Sequence, residues 1–126
     1  MVKGIGVDII EIERIRQGVE NSGISFLERI FTKAEIDYCS AKHNKYQHLA
    51  ARFAAKEAVS KALSTGLRGE FGWKDIEVVN DRLGKPLVVL HGPLREKLNG
   101  ASILLSISHS DSHVVAMVVI EEMEGQ

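Results

Sequence analysis

The sequence predicts an α+β fold, and three observations carry that prediction. The chain opens on a strand-like run of period two, continues through a long stretch of helical periodicity, and closes on alternating apolar runs bounded by turn residues. A parallel α/β chain would interleave strands and helices. This one segregates them: an N-terminal strand, a helical segment with one long central helix, then antiparallel strands. With 126 residues, 44% apolar and 26% charged, the chain suits one domain over 1–126 and is too short to suggest two.

The elements follow in order. In MVKGIGVDII, alternation predicts Ile5, Val7 and Ile9 buried on one face, with Gly4, Gly6 and Asp8 together on the other. That second face is bare of large side chains, which suits either a loop crossing closely above it or a bound ligand. From Ile12 the period becomes helical through Ile15 and Val19, with Arg14 and Arg16 outward, until Asn21, Ser22 and Gly23 stop it. A second short helix is expected in SFLERIF, capped by Ser25, and Thr32 with Glu35 forms a capping box opening KAEIDYCSAK. KYQHLAARFAAKEAVSKALSTG is Ala-rich and free of Gly and Pro until Gly66, its expected C-cap; Gly69 and Gly72 mark a loop. DIEVVN and PLVVL read as strands joined by DRLGK, with Asp81 and Gly84 as turn residues and Pro86 implying an edge or a strand start. PLREKLNG is a short helix between Pro93 and Gly100. SILLSIS and HVVAMVVIEE flank a turn at HSDSH.

Composition excludes several classes. A net charge of −1 offers no basic field for nucleic acid, and no run approaches the ~20 apolar residues of a membrane span. The N-terminus has no basic region leading into an apolar stretch, so the cytoplasm is expected. Cys39 stands alone and reads as an ordinary half-buried thiol in a reducing compartment. The opening GIG lacks the third glycine of a dinucleotide fingerprint, since Ile9 stands in its place, and there is neither a Walker loop nor a nucleophile elbow.

The long helix carries most of the chemistry. Leu49, Phe53 and Leu63 lie on one flank and Ala51, Ala55, Ala58 and Ala62 on the other, so the helix is either central in its domain or packed on another subunit. Arg52 and Lys56 share one stripe between the flanks; Glu57 and Lys61 share another. Glu57 and Lys61 read equally well as a plain i,i+4 pair, contributing about 0.2–0.5 kcal/mol, or as part of a site. In the second reading Asp8 and Glu57 meet to hold a hard divalent cation, and Lys61 faces the phosphates that such an ion bridges; two carboxylates with phosphates and waters suit Mg²⁺. In SILLSISHS, Ile103, Leu105, Ile107 and His109 take one face and Ser106, Ser108 and Ser110 the other. His109 is then either an exposed turn residue or a phosphate or adenine contact. His109 and His113 are four apart across a hairpin with no cysteine near, which makes no case for zinc.

GIGVDIIEIERI, RFAAKEAVSKALSTG, GKP at 84–86 and SISHS, in this order over roughly positions 4 to 121, closely resemble the small 4′-phosphopantetheinyl transferases of the holo-acyl-carrier-protein synthase type. The resemblance implies transfer of 4′-phosphopantetheine from coenzyme A to a serine of apo-acyl carrier protein, releasing adenosine 3′,5′-bisphosphate, in fatty-acid synthesis. It implies Mg²⁺ on Asp8 and Glu57, with Glu57 and Lys61 catalytic. Either Glu57 or a metal-bound water would accept the serine proton. Arg52, Lys56, Ser60, Lys61, His109 and Ser110 would surround the coenzyme, with His43 and Lys45 as looser candidates for its 3′-phosphate. Arg14 matches the family's docking arginine for the acidic carrier protein, whereas Ser25 stands where a further basic residue is common and Arg29 is the candidate to compensate. A homotrimer with shared active sites is implied too. The alternative is a non-catalytic coenzyme A or carrier-protein binding module of the same fold; a Mg²⁺-dependent nucleotide hydrolase would explain the carboxylates and lysine but not the rest of RFAAKEAVSKAL.

Overall fold

The computed structural model describes residues 1–63 and 71–122, so the expected cap at Gly66 and loop glycine Gly69 lie outside the described residues. The elements are β1 (Val2–Glu11), α1 (Ile12–Ile30), α2 (Lys33–Ser40), α3 (Lys45–Leu63), a 3-10 turn (Trp73–Asp75), β2 (Ile76–Asn80), β3 (Pro86–Leu90), α4 (Gly92–Lys97), β4 (Ala101–His109) and β5 (His113–Glu122). The α+β expectation holds. All pairing is antiparallel: β5 lies between β1 and β4 in one sheet, and β2 pairs with β3 in a second.

Local chemistry explains the boundaries. α1 runs through both helices expected from sequence, but its axis breaks at Gly23, whose φ of +57° is open to glycine at little cost. At the start of α2 the Thr32 hydroxyl accepts from the Glu35 amide at 3.2 Å, and the Thr32 amide donates to Glu35 Oε1 at 2.9 Å, completing the capping box. Pro86 takes the first position of β3, opposite Asn80, and among the described residues β3 has no strand partner on its other side, where a missing N–H is harmless.

α3 is central. Ala50, Ala54, Ala55, Ala58 and Val59 are wholly buried, packed between the three-stranded sheet and the α1–α2 segment. Small side chains let the helix come unusually close to β1, and this corrects the expected orientation of that strand. Ile5, Val7 and Ile9 point outward, 65%, 53% and 63% exposed, while Gly6 and Ile10 are buried. A Cβ on Gly6 would collide with the carbonyl oxygen of Ala58, and one on Gly4 with that of Ala62. The bare face is therefore neither crossed by a loop nor kept open for a ligand: it receives the backbone of α3.

The opposite face of that sheet carries Ile5, Val7, Ile9, Leu104 and Met117, all exposed in the single chain. Strand alternation puts them together, since Val7 pairs with Met117 and Ile5 with Val119, which in turn pairs with Leu104.

Candidate active site

Three of the expected residues come together where β1 meets the second half of α3. Alternation turns Asp8 toward the helix, leaving its side chain 14% exposed. Lys61 Nζ reaches back and donates to Asp8 Oδ1 at 3.0 Å and to the Val7 carbonyl at 3.0 Å. Glu57, one helical turn before Lys61, is half-buried beside them. Burial and then the negative charge of Asp8 push its carboxyl above the ordinary glutamate value, with Lys61 pulling the other way. So Glu57 and Lys61 are more than a plain i,i+4 pair, because the strand carboxylate joins them.

This donor set fits a hard divalent cation. Among the described residues no group of three or more His, Cys, Asp or Glu side chains converges on a metal position. Two oxygen donors are on hand, which matches an ion such as Mg²⁺ that completes its shell with waters and substrate phosphates. The charge of Asp8 adds to the cost of ionising Glu57, a repulsion that a cation would relieve.

Arg52 and His109 lie elsewhere. Arg52 precedes Lys61 by nine residues, about half a turn out of phase at ~100° per residue, and it points to the second sheet, where Nη2 donates to Asn80 Oδ1 at 2.7 Å. It lines a cavity of about 210 Å³ with His48, Asn80, Pro86, Ile107 and His109. Arg52 is 4% exposed, its buried Nε has no partner, and no carboxylate pairs with it among the described residues. A buried guanidinium without a counter-ion is costly, which points to an anionic ligand in that cavity. Ser110 is on the turn beyond His109; its Oγ accepts from the amides of Ser112 and His113 at 3.3 and 3.1 Å, so it holds the turn in shape.

Lys56 and Ser60 are corrections. Neither presents a usable surface to a ligand: Lys56 is 0% and Ser60 2% exposed. The three protons of the Lys56 ammonium are taken by the carbonyls of Ile30 and Trp73, both at 3.0 Å, and by Glu35 Oε1 at 2.8 Å. Glu35 spends its other oxygen on the Val78 amide at 2.8 Å. Lys56 thus ties α3 to α1, α2 and β2 from within, and burial pulls its pKa down while Glu35 opposes the shift.

Arg14 is exposed on α1 and forms no ion pair among the described residues, whereas Arg16 is held by Glu13 and Glu20. Arg29, His43 and Lys45 are likewise exposed. Residues that sequence reasoning missed are Glu35 and His48. The capping box announced Glu35 as a helix-end residue and gave no sign of its ion pair. His48 showed no signal at all, since a single histidine on a helix is unremarkable until the cavity is seen.

Known proteins are similar to this chain in sequence and in fold. The sequence profile of the 4′-phosphopantetheinyl transferase superfamily matches residues 4–118. The holo-[acyl-carrier-protein] synthase of Geotalea daltonii is 49% identical over 125 residues, covering 97% of this chain and 100% of its own. A solved holo-(acyl-carrier-protein) synthase from Bacillus anthracis, in complex with CoA (3′,5′-ADP), superposes with a TM-score of 0.83 at 40% identity over 98% of this chain and 99% of its own. The Helicobacter pylori holo-[acyl-carrier-protein] synthase in complex with coenzyme A gives a TM-score of 0.84 at 36% identity, covering 93% and 99%.

Proposed function

The chain belongs to the 4′-phosphopantetheinyl transferase superfamily, and on that footing we propose that it is a holo-acyl-carrier-protein synthase. It moves 4′-phosphopantetheine from coenzyme A to a serine of apo-acyl carrier protein and releases adenosine 3′,5′-bisphosphate. The observation that carries this reading is the meeting of Asp8, Glu57 and Lys61 at the β1–α3 junction, in a chain similar over nearly its whole length to coenzyme A-bound synthases.

In the reaction the serine oxygen attacks the phosphorus on the pantetheine side of the pyrophosphate. The bond from that phosphorus to the bridging oxygen breaks, and the adenosine bisphosphate leaves with the electron pair. Mg²⁺ held by Asp8 and Glu57 would supply Lewis-acid stabilisation of the charge that builds on the phosphate oxygens. Lys61, 54% exposed and already aimed at this corner, adds a second positive contact. The serine proton goes to one of the two acceptors that the sequence leaves open, Glu57 or a metal-bound water. Arg52 and His109 suit the adenosine phosphate end, and Arg14 suits an acidic carrier protein.

Asp8, Glu57 and Lys61 lie on one side of α3 and Arg52 and His109 line a cavity on another, so we read the site as divided between chains. A homotrimer with active sites between neighbouring subunits accounts for the split. It also accounts for the exposed Ile5, Val7, Ile9, Leu104 and Met117, which a second copy of the sheet would cover. We place the protein in the cytoplasm, in service of fatty-acid synthesis; the unpaired, wholly buried Cys39 suits a reducing compartment. The deciding experiment incubates the protein with coenzyme A, Mg²⁺ and apo-acyl carrier protein and weighs the carrier. A gain of one phosphopantetheine is expected; coenzyme binding without any gain on acidic carriers would leave only the binding-module alternative.

A further inference from the structure

The cavity at Arg52 holds a second basic group that the superfamily resemblance does not account for. His48 is half-buried one turn before Arg52 on α3, and its ring meets Tyr38 of α2 edge-on with centroids 5.9 Å apart. The Arg52 guanidinium lies 4.4 Å from the centre of the same tyrosine ring, and Lys42 Nζ 4.7 Å. The groups that face His48 are Tyr38 from α2, Lys42 from the turn after it, Arg52 from its own helix and His109 from β4; none is acidic. Three basic groups thus gather round one aromatic ring, beside a buried guanidinium whose Nε has no partner.

We propose that His48 is a specificity-determining residue of this cavity, which protonates as a phosphate monoester of the coenzyme enters and then binds that ester as an imidazolium, so that coenzyme binding takes up a proton. This rests on reading the cavity as the coenzyme's adenosine end. In the free protein, burial first, and then Arg52, Lys42 and His109, hold His48 below the ordinary imidazole range, so the ring is neutral at pH 7. A monoester is a dianion above its second pKa of about 6. It brings in the negative charge that this cluster lacks and reverses the repulsion that kept the ring neutral. The sign follows from linkage: affinity falls as pH rises from the free-state pKa of His48 toward its higher bound-state pKa, and levels off above that.

Calorimetric titration of the intact chain with coenzyme A at about pH 7.5, where the monoester is already fully ionised, in buffers of different ionisation heat, reads the proton directly. Uptake is expected with coenzyme A and not with 3′-dephospho-coenzyme A, a comparison that needs no variant. His48→Gln, its folding checked by urea midpoint, should lose the uptake and bind coenzyme A about tenfold more weakly, the size of one charge-assisted hydrogen bond. Its affinity for the dephospho form should stay within about twofold. His109→Gln should keep the uptake. Equal uptake with both ligands, or uptake that survives in His48→Gln and vanishes in His109→Gln, overturns the assignment to His48 while the transferase reading stands. Absence of coenzyme binding together with absence of transfer overturns both.

Discussion

The Lys56 ammonium lies 2.8 Å from Glu35 Oε1, and neither side chain has any exposed surface. All three of its donors and both glutamate oxygens are used, so the pair joins five elements with nothing left unsatisfied. Lys56→Met should leave the Glu35 charge buried alone and lower unfolding free energy by about 3–5 kcal/mol. Urea denaturation checks this, and a loss below about 1 kcal/mol would contradict the internal role of Lys56.

Gly6→Ala should be among the most damaging single methyl additions in the chain. The new carbon meets a main-chain oxygen of α3 rather than a flexible side chain, so β1 and α3 must part. A loss of about 1–3 kcal/mol or more is expected from overpacking, together with lower turnover, because Asp8 moves with the strand. Gly72→Ala is the control, with nothing within 4 Å of the added carbon; its thermal midpoint should stay close to wild type.

Asp8→Ala and Glu57→Ala should each slow transfer by at least about 10²-fold and leave the urea midpoint nearly unchanged. Chelation of divalent metal should stop the wild type, and added Mg²⁺ should restore it. Wild-type rates in either variant would remove the carboxylate pair from the mechanism.

A divided site makes a prediction about mixtures. Asp8→Ala and Arg52→Ala should each be inactive alone; co-refolded, they should regain part of the wild-type rate, since some intersubunit sites then combine an intact Arg52 with an intact Asp8. Recovery no greater than the sum of the two separate variants would place both halves of a working site in one chain.

Acid should weaken the tie between α2 and β2. Thr32 Oγ1 donates to Glu77 Oε2 at 2.6 Å and His91 Nε2 contacts Oε1 at 3.0 Å. Burial alone would raise the Glu77 pKa, but these two bonds, together with the charges of His91 and Lys56, hold it below the ordinary value. A depressed carboxylate contributes stability that is present above its unfolded pKa of about 4.3 and is lost as pH falls through the folded one. Glu77→Gln should therefore flatten the acid limb of a plot of urea midpoint against pH, and an unchanged limb would assign that limb to other groups.

Much of this was legible in the residues. The helical periods, the Thr32–Glu35 box, the Pro86 strand start and the hairpin turns are local effects, and local sequence reports them. The meeting of Asp8 with the Glu57–Lys61 stripe was legible as well, because carboxylates set into apolar runs need a partner. The facing of β1 was not. Alternation tells which residues share a side, and the apolar row at Ile5, Val7 and Ile9 took the solvent side in the single chain because two glycines opposite two alanines allow a closer fit to α3. That pairing of small residues, Gly4 and Gly6 with Ala58 and Ala62, was the available signal. Lys56 was misplaced for a related reason: lysine is rarely buried whole, and its acceptors at Ile30, Glu35 and Trp73 are far from it in sequence.

The seam between β1 and α3 has one more consequence. Where two elements are kept apart by side chains, their spacing drifts with each substitution of those side chains. Here main chain rests on main chain, and van der Waals contact between backbone atoms sets the gap. The carboxylate on the strand and the carboxylate on the helix are thereby mounted on a common rigid gauge. The surrounding core is free to exchange Leu for Met or Val for Ile over many generations without retuning the distance between them.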